Sequence, residues 1–266
     1  MASESSVDSS SKKVAVVTGG GGGIGQAIAA RLVESHDHVV LVDVNEENAD
    51  AVAASLGKDK ATVTICDITD PGQVTKMAEN IASLGDIKTL VNNAGATWAA
   101  SLHEMTPEAW KREISLNLDA AFHCFHAFKD SLKRSRGSVI NIASVNGLSM
   151  CGNPAYSAAK AGLIHFTRSI AVEYGKFGIR ANAVAPGTVR TPAWEFKMRE
   201  NPQVFEDVKK WYPLGRIVEP ADVANAVAFL SSDQATAITG ICLPVDSGLT
   251  AGQTQLAGAF SQSEHY

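Results

Sequence analysis

The chain has no run of basic residues. Its 23 Lys and Arg stand against 28 Asp and Glu, for a net charge of −5, so it lacks the cationic stripe that a nucleic-acid backbone binder needs. No window holds 18 continuous apolar residues, and the first residues form neither a basic start nor an apolar leader. Membrane spanning and secretion are therefore disfavoured, and a cytoplasmic protein is expected. Cysteine is scarce: Cys66, Cys124, Cys151 and Cys242 are scattered without C-x-x-C spacing, which suggests neither a zinc site nor a disulfide framework. There is no G-x-S-x-G elbow, and His103-Glu104 runs into Met-Thr-Pro rather than on to an H-E-x-x-H helix, so a serine hydrolase and a zinc protease are both set aside. His123, Cys124 and His126 cluster on one stretch without a carboxylate or third histidine beside them; packing or an oligomer face accounts for them better than a metal, and no metal site is expected.

What is present is ordinary for a globular protein: 266 residues, 45% hydrophobic, with 22 Gly and 9 Pro. A chain of this length buries about three quarters of its unfolded surface. Residues 1–11, six of them Ser, are too polar to offset chain entropy and read as a tail. From Lys12, short apolar β-branched runs alternate with longer stretches of helical period. Val14–Thr18, His38–Asp43, Ala61–Cys66, Ile87–Asn92, Ser138–Ala143, Ile179–Val184 and Ile241–Val245 read as strands. The helices expected between them are Ile24–Ser35, Glu46–Leu56, Gly72–Leu84, Pro107–Lys133, Pro154–Tyr174, a shorter element within Trp194–Trp211, and Pro220–Leu230. Asp70-Pro71 and Thr106-Pro107 are cap-and-proline pairs that mark two helix starts. Strands too apolar to leave a face in water, separated by helices, predict a parallel sheet covered on both sides. With no repeat and no Pro/Gly/Ser linker, residues 12–252 read as one α/β domain, followed by a C-terminal tail over 253–266.

The first strand runs into five consecutive glycines, then Ile24, Gly25 and an amphipathic stretch. A strand, glycine turn and helix in this order direct backbone N–H groups and a positive helix end at a phosphate. Gly20, Gly22 and Gly25 fit G-x-G-x-x-G, whereas Thr18, Gly19, Gly23 and Gly25 fit T-G-x-x-x-G-x-G, so the run does not choose its own register. Gln26 and Ala27 stand where a P-loop needs Lys and Ser or Thr, which removes nucleotide hydrolysis. Asp43 closes the second strand 18 residues after Gly25. A carboxylate there either accepts hydrogen bonds from an adenosine ribose, repelling a 2′-phosphate and favouring NAD over NADP, or merely caps the following helix near Asn45.

Between Ser144 and Lys160 the sequence reads SVNGLSMCGNPAYSAAK. Tyr156 and Lys160, four apart after Pro154, fall one turn apart on one helix face. A phenol titrates near 10, too high for a base at neutral pH, and a nearby ammonium stabilises its anion. Ser144 ends a strand, where a parallel sheet opens its ligand crevice.

These motifs, in this order, resemble the short-chain dehydrogenase/reductase family from about Lys12 to Gly252. They comprise TGGGGGIG at Thr18–Gly25, Asp43, CDI at Cys66–Ile68, NNAG at Asn92–Gly95, Asn117, NIAS ending at Ser144, YSAAK at Tyr156–Lys160, NAVAPGTVRTP at Asn182–Pro192, and PVDSG at Pro244–Gly248. The resemblance implies a Rossmann-like, doubly wound sheet of about seven strands. It makes Tyr156 the acid/base, Lys160 its activator and a ribose ligand, Ser144 the holder of the substrate oxygen, and Asn117 part of a water-linked proton relay. It implies cofactor contacts at Gly19, Gly23, Ile24, Gly25, Asp67, Ile68, Asn93, Gly95, Pro186, Gly187, Val189 and Thr191, and a homotetramer, with a dimer also compatible. Ser144 stands one residue closer to Tyr156 than in many members, so the intervening loop is expected to be short.

The expected reaction is hydride transfer between NAD(H) and a secondary alcohol or ketone, with a small polyhydroxy compound such as a sugar, sugar acid or polyol as substrate. A 3-oxoacyl reductase and a dinucleotide sensor without turnover are the alternatives. An isomerase of the family's extended branch fits poorly, because barely 80 residues follow Pro186. Residues 188–213 read as a lid, and Trp98, Asn146, Asn153, Arg190 and Trp194 are the candidate substrate contacts.

Overall fold

The computed structural model describes residues 11–57 and 59–265, so the Ser-rich tail expected over 1–11 lies outside the described residues except at its last position. Seven strands form one parallel sheet in the order β3-β2-β1-β4-β5-β6-β7. They are β1 Lys13–Thr18, β2 His38–Asp43, β3 Ala61–Ile65, β4 Asp86–Asn92, β5 Ser138–Ile142, β6 Arg180–Pro186 and β7 Cys242–Val245. Among the described residues ten α-helices connect or follow them: α1 Gly23–Leu32, α2 Glu46–Leu56, α3 Pro71–Ala82, α4 Pro107–Ile114, α5 Ala120–Ser135, α6 Pro154–Tyr174, α7 Glu195–Glu200, α8 Val204–Lys209, α9 Pro220–Ser231 and α10 Thr254–Ser261. The chain is a single α/β unit of Rossmann-like form.

Alternation along the strands divides the core. Val14, Val16, Val40 and Val42 face Phe125, Phe128 and Leu132 of α5 and Ile170 of α6. Ala15, Val17, Val39 and Leu41 face Ile28 and Leu32 of α1 and Val227 and Leu230 of α9. Both faces are dry, which is why these strands are apolar without interruption. The predicted caps are formed: the Asp70 carboxylate accepts from Gly72 N at 2.8 Å and Gln73 N at 3.1 Å, and the Thr106 hydroxyl oxygen accepts from Ala109 N at 3.1 Å.

Two expectations change. The single helix expected over Pro107–Lys133 is broken by a π-helical turn at Ser115–Asp119. The Asn117 side-chain amide donates to the Glu113 carbonyl at 2.9 Å, the acceptor that an α-helix reserves for the N–H of residue 117 itself, and such local competition widens a turn. The stretch after Gly252, read as a polar tail, contains α10, whose apolar side chains Leu256 and Phe260 are exposed.

His36, buried between α1 and β2, belongs to none of the motifs above. Its Nδ1 is 3.2 Å from the Leu32 carbonyl and its Nε2 is 2.9 Å from Thr89 Oγ1 on β4, an arrangement that suits the neutral ring. Burial holds its pKa below the ordinary 6.5. The unfolded chain therefore takes up this proton first, and the stabilisation, full above pH 6.5, is lost as the pH falls through the lower folded value. Between pH 7 and 5 the melting temperature of His36→Gln is expected to fall less steeply than that of the parent protein. Parallel curves would show that His36 is not the group responsible.

Candidate active site

The sheet reverses its winding between β1 and β4, and a cleft of about 930 Å³ opens there at the carboxyl ends of the strands, the place where open parallel sheets take ligands. Its floor is the glycine turn. Gly19 bends the chain with φ +64°, and α1 begins at Gly23 behind the cap residue Gly22, which has no side chain to satisfy the first helical N–H groups. The structure thus selects the register of Gly19, Gly23 and Gly25. A Cβ on Gly25 would run into the Gly19 carbonyl, so this turn is packed too tightly for any other residue. Uncapped N–H groups and a positive helix end facing an open cleft fit a dinucleotide diphosphate.

Asp43 lines the same cleft. One carboxylate oxygen accepts from Gly21 N at 2.9 Å and the other from Asn45 N at 3.0 Å, while Asn45 itself caps α2 by accepting from Asn48 N at 3.0 Å. Asp43 is therefore not the helix cap; it ties the glycine turn to the end of β2. Asp67 and Ile68 line the cleft beyond it. Asn93 is a brace between strands, its amide donating to the carbonyls of Thr18 at 2.9 Å and Gly19 at 3.2 Å. Thr191 reaches the cleft with Pro192 and Ala193. Pro186 ends β6, Gly187 N donates to the Val245 carbonyl at 3.0 Å, and Val189 is buried in a bridge to Val218.

Four side chains meet at the inner end, beside Gly95. A Cβ on Gly95 would lie 2.7 Å from Asn117 Oδ1 and 3.3 Å from Lys160 Nζ, which puts both groups against the cleft wall. Asn117 sits on the π turn. Its amide donates to the Ala96 carbonyl at 2.7 Å as well as to Glu113, and its buried Oδ1 has no protein partner. An orphaned buried acceptor beside an open cleft calls for a water or a ligand. Lys160 is buried, anchored by donation to the Ile142 carbonyl at the end of β5 at 2.8 Å, with Nζ 5.4 Å from the Tyr156 ring centroid. Burial draws the Lys160 pKa down to about 8.

Tyr156 behaves differently from the expectation that its ammonium neighbour would make it more acidic. Burial pushes the phenol above its usual 10; a hydrogen bond with the Ser144 hydroxyl works the other way, and the negative charge of Glu113 adds to the rise. Desolvation is the largest of these effects, and it leaves the phenol above its usual value despite the ammonium beside it. The short loop between Ser144 and Tyr156 closes through two successive left-handed residues, Gly152 at φ +92° and Asn153 at φ +53°.

Of the candidate substrate contacts, Trp98 lines the cleft, with the Arg112 guanidinium 3.7 Å from its ring centroid. Asn146 and Asn153 have their amide nitrogens, and Arg190 its guanidinium, bound within the protein. The Asn146 amide donates to the Gly152 carbonyl at 2.8 Å. The Asn153 amide donates to Thr97 Oγ1 at 2.9 Å. Arg190 pairs with Glu219 at 3.2 Å and lies over Phe205, which also packs against Trp194 at 5.5 Å between centroids. Trp194, Phe205 and Tyr212 therefore join Ile217 in a small core of their own, while Phe196 and Trp211 stay exposed. Sequence reasoning missed Arg112, Ser115 and Leu116, which line the cleft within the five residues before Asn117; no spacing along the chain marks them.

A doubly wound parallel sheet, a glycine turn at its switch point and a tyrosine–lysine–serine–asparagine cluster beside it define an oxidoreductase that uses a nicotinamide dinucleotide and acts on alcohol groups. A family model described as enoyl-(acyl carrier protein) reductase matches residues 19–250, and the chain belongs to the short-chain dehydrogenase/reductase family. It is 38% identical over 238 residues to meso-2,3-butanediol dehydrogenase of Serratia marcescens, covering 88% of this chain and 92% of that one. It is 34% identical over 233 residues to a galactitol 2-dehydrogenase (L-tagatose-forming) of Cereibacter sphaeroides, covering 86% and 91%. The crystal structure of a short-chain dehydrogenase/reductase family oxidoreductase from Burkholderia thailandensis superposes with a TM-score of 0.91 at 42% identity, over 96% of this chain and 99% of that one.

Proposed function

We propose that this protein transfers hydride between NAD(H) and a secondary alcohol or ketone of a small polyhydroxy compound such as a sugar, sugar acid or polyol. The observation that carries the reading is the meeting of Tyr156, Ser144, Lys160 and Asn117 behind Gly95, which lines the cleft. A nicotinamide dinucleotide bound there would supply hydride exchange with the alcohol or ketone carbon. The chain's part is proton and charge management. In oxidation Tyr156, as phenolate, removes the hydroxyl proton, and in reduction it returns one. The Ser144 hydroxyl hydrogen-bonds the reacting oxygen as charge develops on it. The Lys160 ammonium stabilises the phenolate and donates to a ribose hydroxyl, and Asn117 Oδ1 holds the water through which protons reach solvent.

Cofactor binding follows the same logic. The N–H groups around Gly19, Gly23, Ile24 and Gly25 receive the diphosphate, Asp43 accepts from the adenosine ribose, and Asp67 and Ile68 border the adenine. Asn93, Gly95, Pro186, Gly187, Val189 and Thr191 form the surroundings of the nicotinamide half. No cation stands in the glycine turn or immediately after Asp43, so a 2′-phosphate would meet an uncompensated carboxylate, which supports NAD. The segment 188–213, carrying α7 and α8, is the element suited to cover the substrate, and Trp98 forms its apolar wall. The exposed Phe122 on α5 and Val172 on α6 offer apolar faces in keeping with a homotetramer.

The reading is tested by assaying a panel of polyols, sugar acids, vicinal diols and simple secondary alcohols with NAD⁺ and NADP⁺ in parallel, and 3-oxoacyl thioesters in the reductive direction. NADH formation with a polyhydroxy substrate is expected. Turnover confined to the thioesters would replace the substrate assignment, and none with any alcohol or ketone would remove the catalytic one.

A further inference from the structure

Glu113, three residues past Trp110 on α4, is fully buried, and among the described residues no Lys, Arg or His forms an ion pair with its carboxylate. An unpaired buried carboxylate is costly unless hydrogen bonds replace its water, and the donors here all come from one short segment. Oε1 accepts from Trp98 N at 2.7 Å and from Ala99 N at 3.0 Å, and the Thr97 hydroxyl lies 3.4 Å from both oxygens. Thr97 and Ala99 are in turn held by the Asn153 amide, at 2.9 Å to Thr97 Oγ1 and 3.2 Å to the Ala99 carbonyl, and Asn153 N donates to the Ala100 carbonyl at 3.0 Å. Asn153 is the left-handed residue that starts the helix of Tyr156. At the other end, the Glu113 backbone carbonyl accepts from the amide of Asn117.

We propose that Glu113 is a positioning residue for the reaction. Its carboxylate gathers the backbone of 97–99, sets Trp98 on the cleft wall, and through Asn153 fixes the start of α6 relative to the π turn, so that Tyr156 and Asn117 keep their spacing. The inference rests on the catalytic reading above and adds a part to it. A hydrophobic residue at 113 would satisfy packing but leave two backbone N–H groups buried without acceptors. A carboxylate does more than fill space there.

Its charge has a second consequence. Tyr156 is faced by the Lys160 ammonium from its own helix, by the Ser144 hydroxyl from the end of β5, and by the Glu113 carboxylate from α4, and Glu113 is the one negative group among them. Removing that charge while keeping an acceptor oxygen makes the phenol more acidic without moving it.

The test compares Glu113→Gln, Glu113→Ala and Asn153→Ala in the full-length protein. Glu113→Gln is expected to keep kcat within about threefold of the parent while the pH at which alcohol oxidation reaches half its maximum moves to lower pH. Glu113→Ala is expected to lose roughly 10- to 100-fold in kcat, the scale that an ångström of misplacement costs, with NADH affinity unchanged. Asn153→Ala is expected to lose part of the same factor, and the double variant no more than Glu113→Ala alone. Amide hydrogen exchange of 97–100, read by mass spectrometry, should quicken in Glu113→Ala and Asn153→Ala and stay slow in Glu113→Gln, whatever the activity. If a folded Glu113→Ala turns over like the parent, or exchange in 97–100 is unaltered, the proposal is overturned with the catalytic reading intact. If the parent protein has no alcohol activity, the catalytic reading fails, and the exchange data alone decide whether the strut exists.

Discussion

Tyr156→Phe is expected to lose about 10²- to 10⁴-fold in kcat, the usual worth of a positioned acid/base, while binding NADH as tightly as the parent protein. The substitution removes one oxygen and leaves the ring against Lys160 Nζ, so neither packing nor the glycine turn is disturbed. The loss should appear in both directions, since the same hydroxyl gives and takes the proton. Steady-state rates on the best alcohol, with an NADH fluorescence titration alongside, check both halves. Parent-like turnover in a folded variant would reject Tyr156 as the proton carrier. The pH dependence has a definite sign as well. Because burial and the Glu113 charge hold the phenol above its ordinary value, oxidation, which needs the phenolate, should climb with pH across the neutral and mildly alkaline range.

The second large effect concerns the other end of the cleft. Asp43→Ser should lower the ratio of kcat/KM for NAD⁺ over that for NADP⁺ by about 10- to 100-fold. A hydrogen bond to a charged group is worth roughly 1.5–3 kcal/mol, each 1.4 kcal/mol is a factor of about ten, and the variant also relieves repulsion of a 2′-phosphate. At saturating NAD⁺ kcat should be little altered, since Asp43 borders the adenosine end of the cleft while the proton is moved at the other. If the parent protein already prefers NADP⁺, the carboxylate held by Gly21 N and Asn45 N does not choose the cofactor.

The class of fold was legible because its signals are local. An apolar run such as Val14–Thr18 has to be buried on both faces wherever it lies, the spacing of Tyr156 and Lys160 fixes them on one side of any helix, and Asp70-Pro71 caps a helix with atoms three residues apart at most. All seven strands stand within two residues of their expected limits. The order of the motifs along the chain likewise announced the family. The glycine run was legible as a turn but not as a register, because five identical residues carry no local difference. Tertiary surroundings distinguish them: Gly19 has positive φ and lies against Ala94, Gly23 lies against Thr191, and Gly22 has open space where a Cβ would stand.

The substrate side was decided by the tertiary structure. Asn153 and Arg190 have side chains of the type that recognises hydroxyls and carboxylates, yet their partners, Thr97 and Glu219, are 56 and 29 residues away, and spacing along the chain says nothing about such bonds. Glu113 is the converse case. On the sequence it is one acid among 28 Asp and Glu, and it gains a role only because packing removes its water and sets the amides of Trp98 and Ala99 against it. The sequence determined which segments become strands and helices, since periodicity and short spacings act within a turn or a strand. Which polar groups remain for a ligand, and which are consumed in holding the site together, was settled by contacts that exist only after distant segments have packed and water has been excluded.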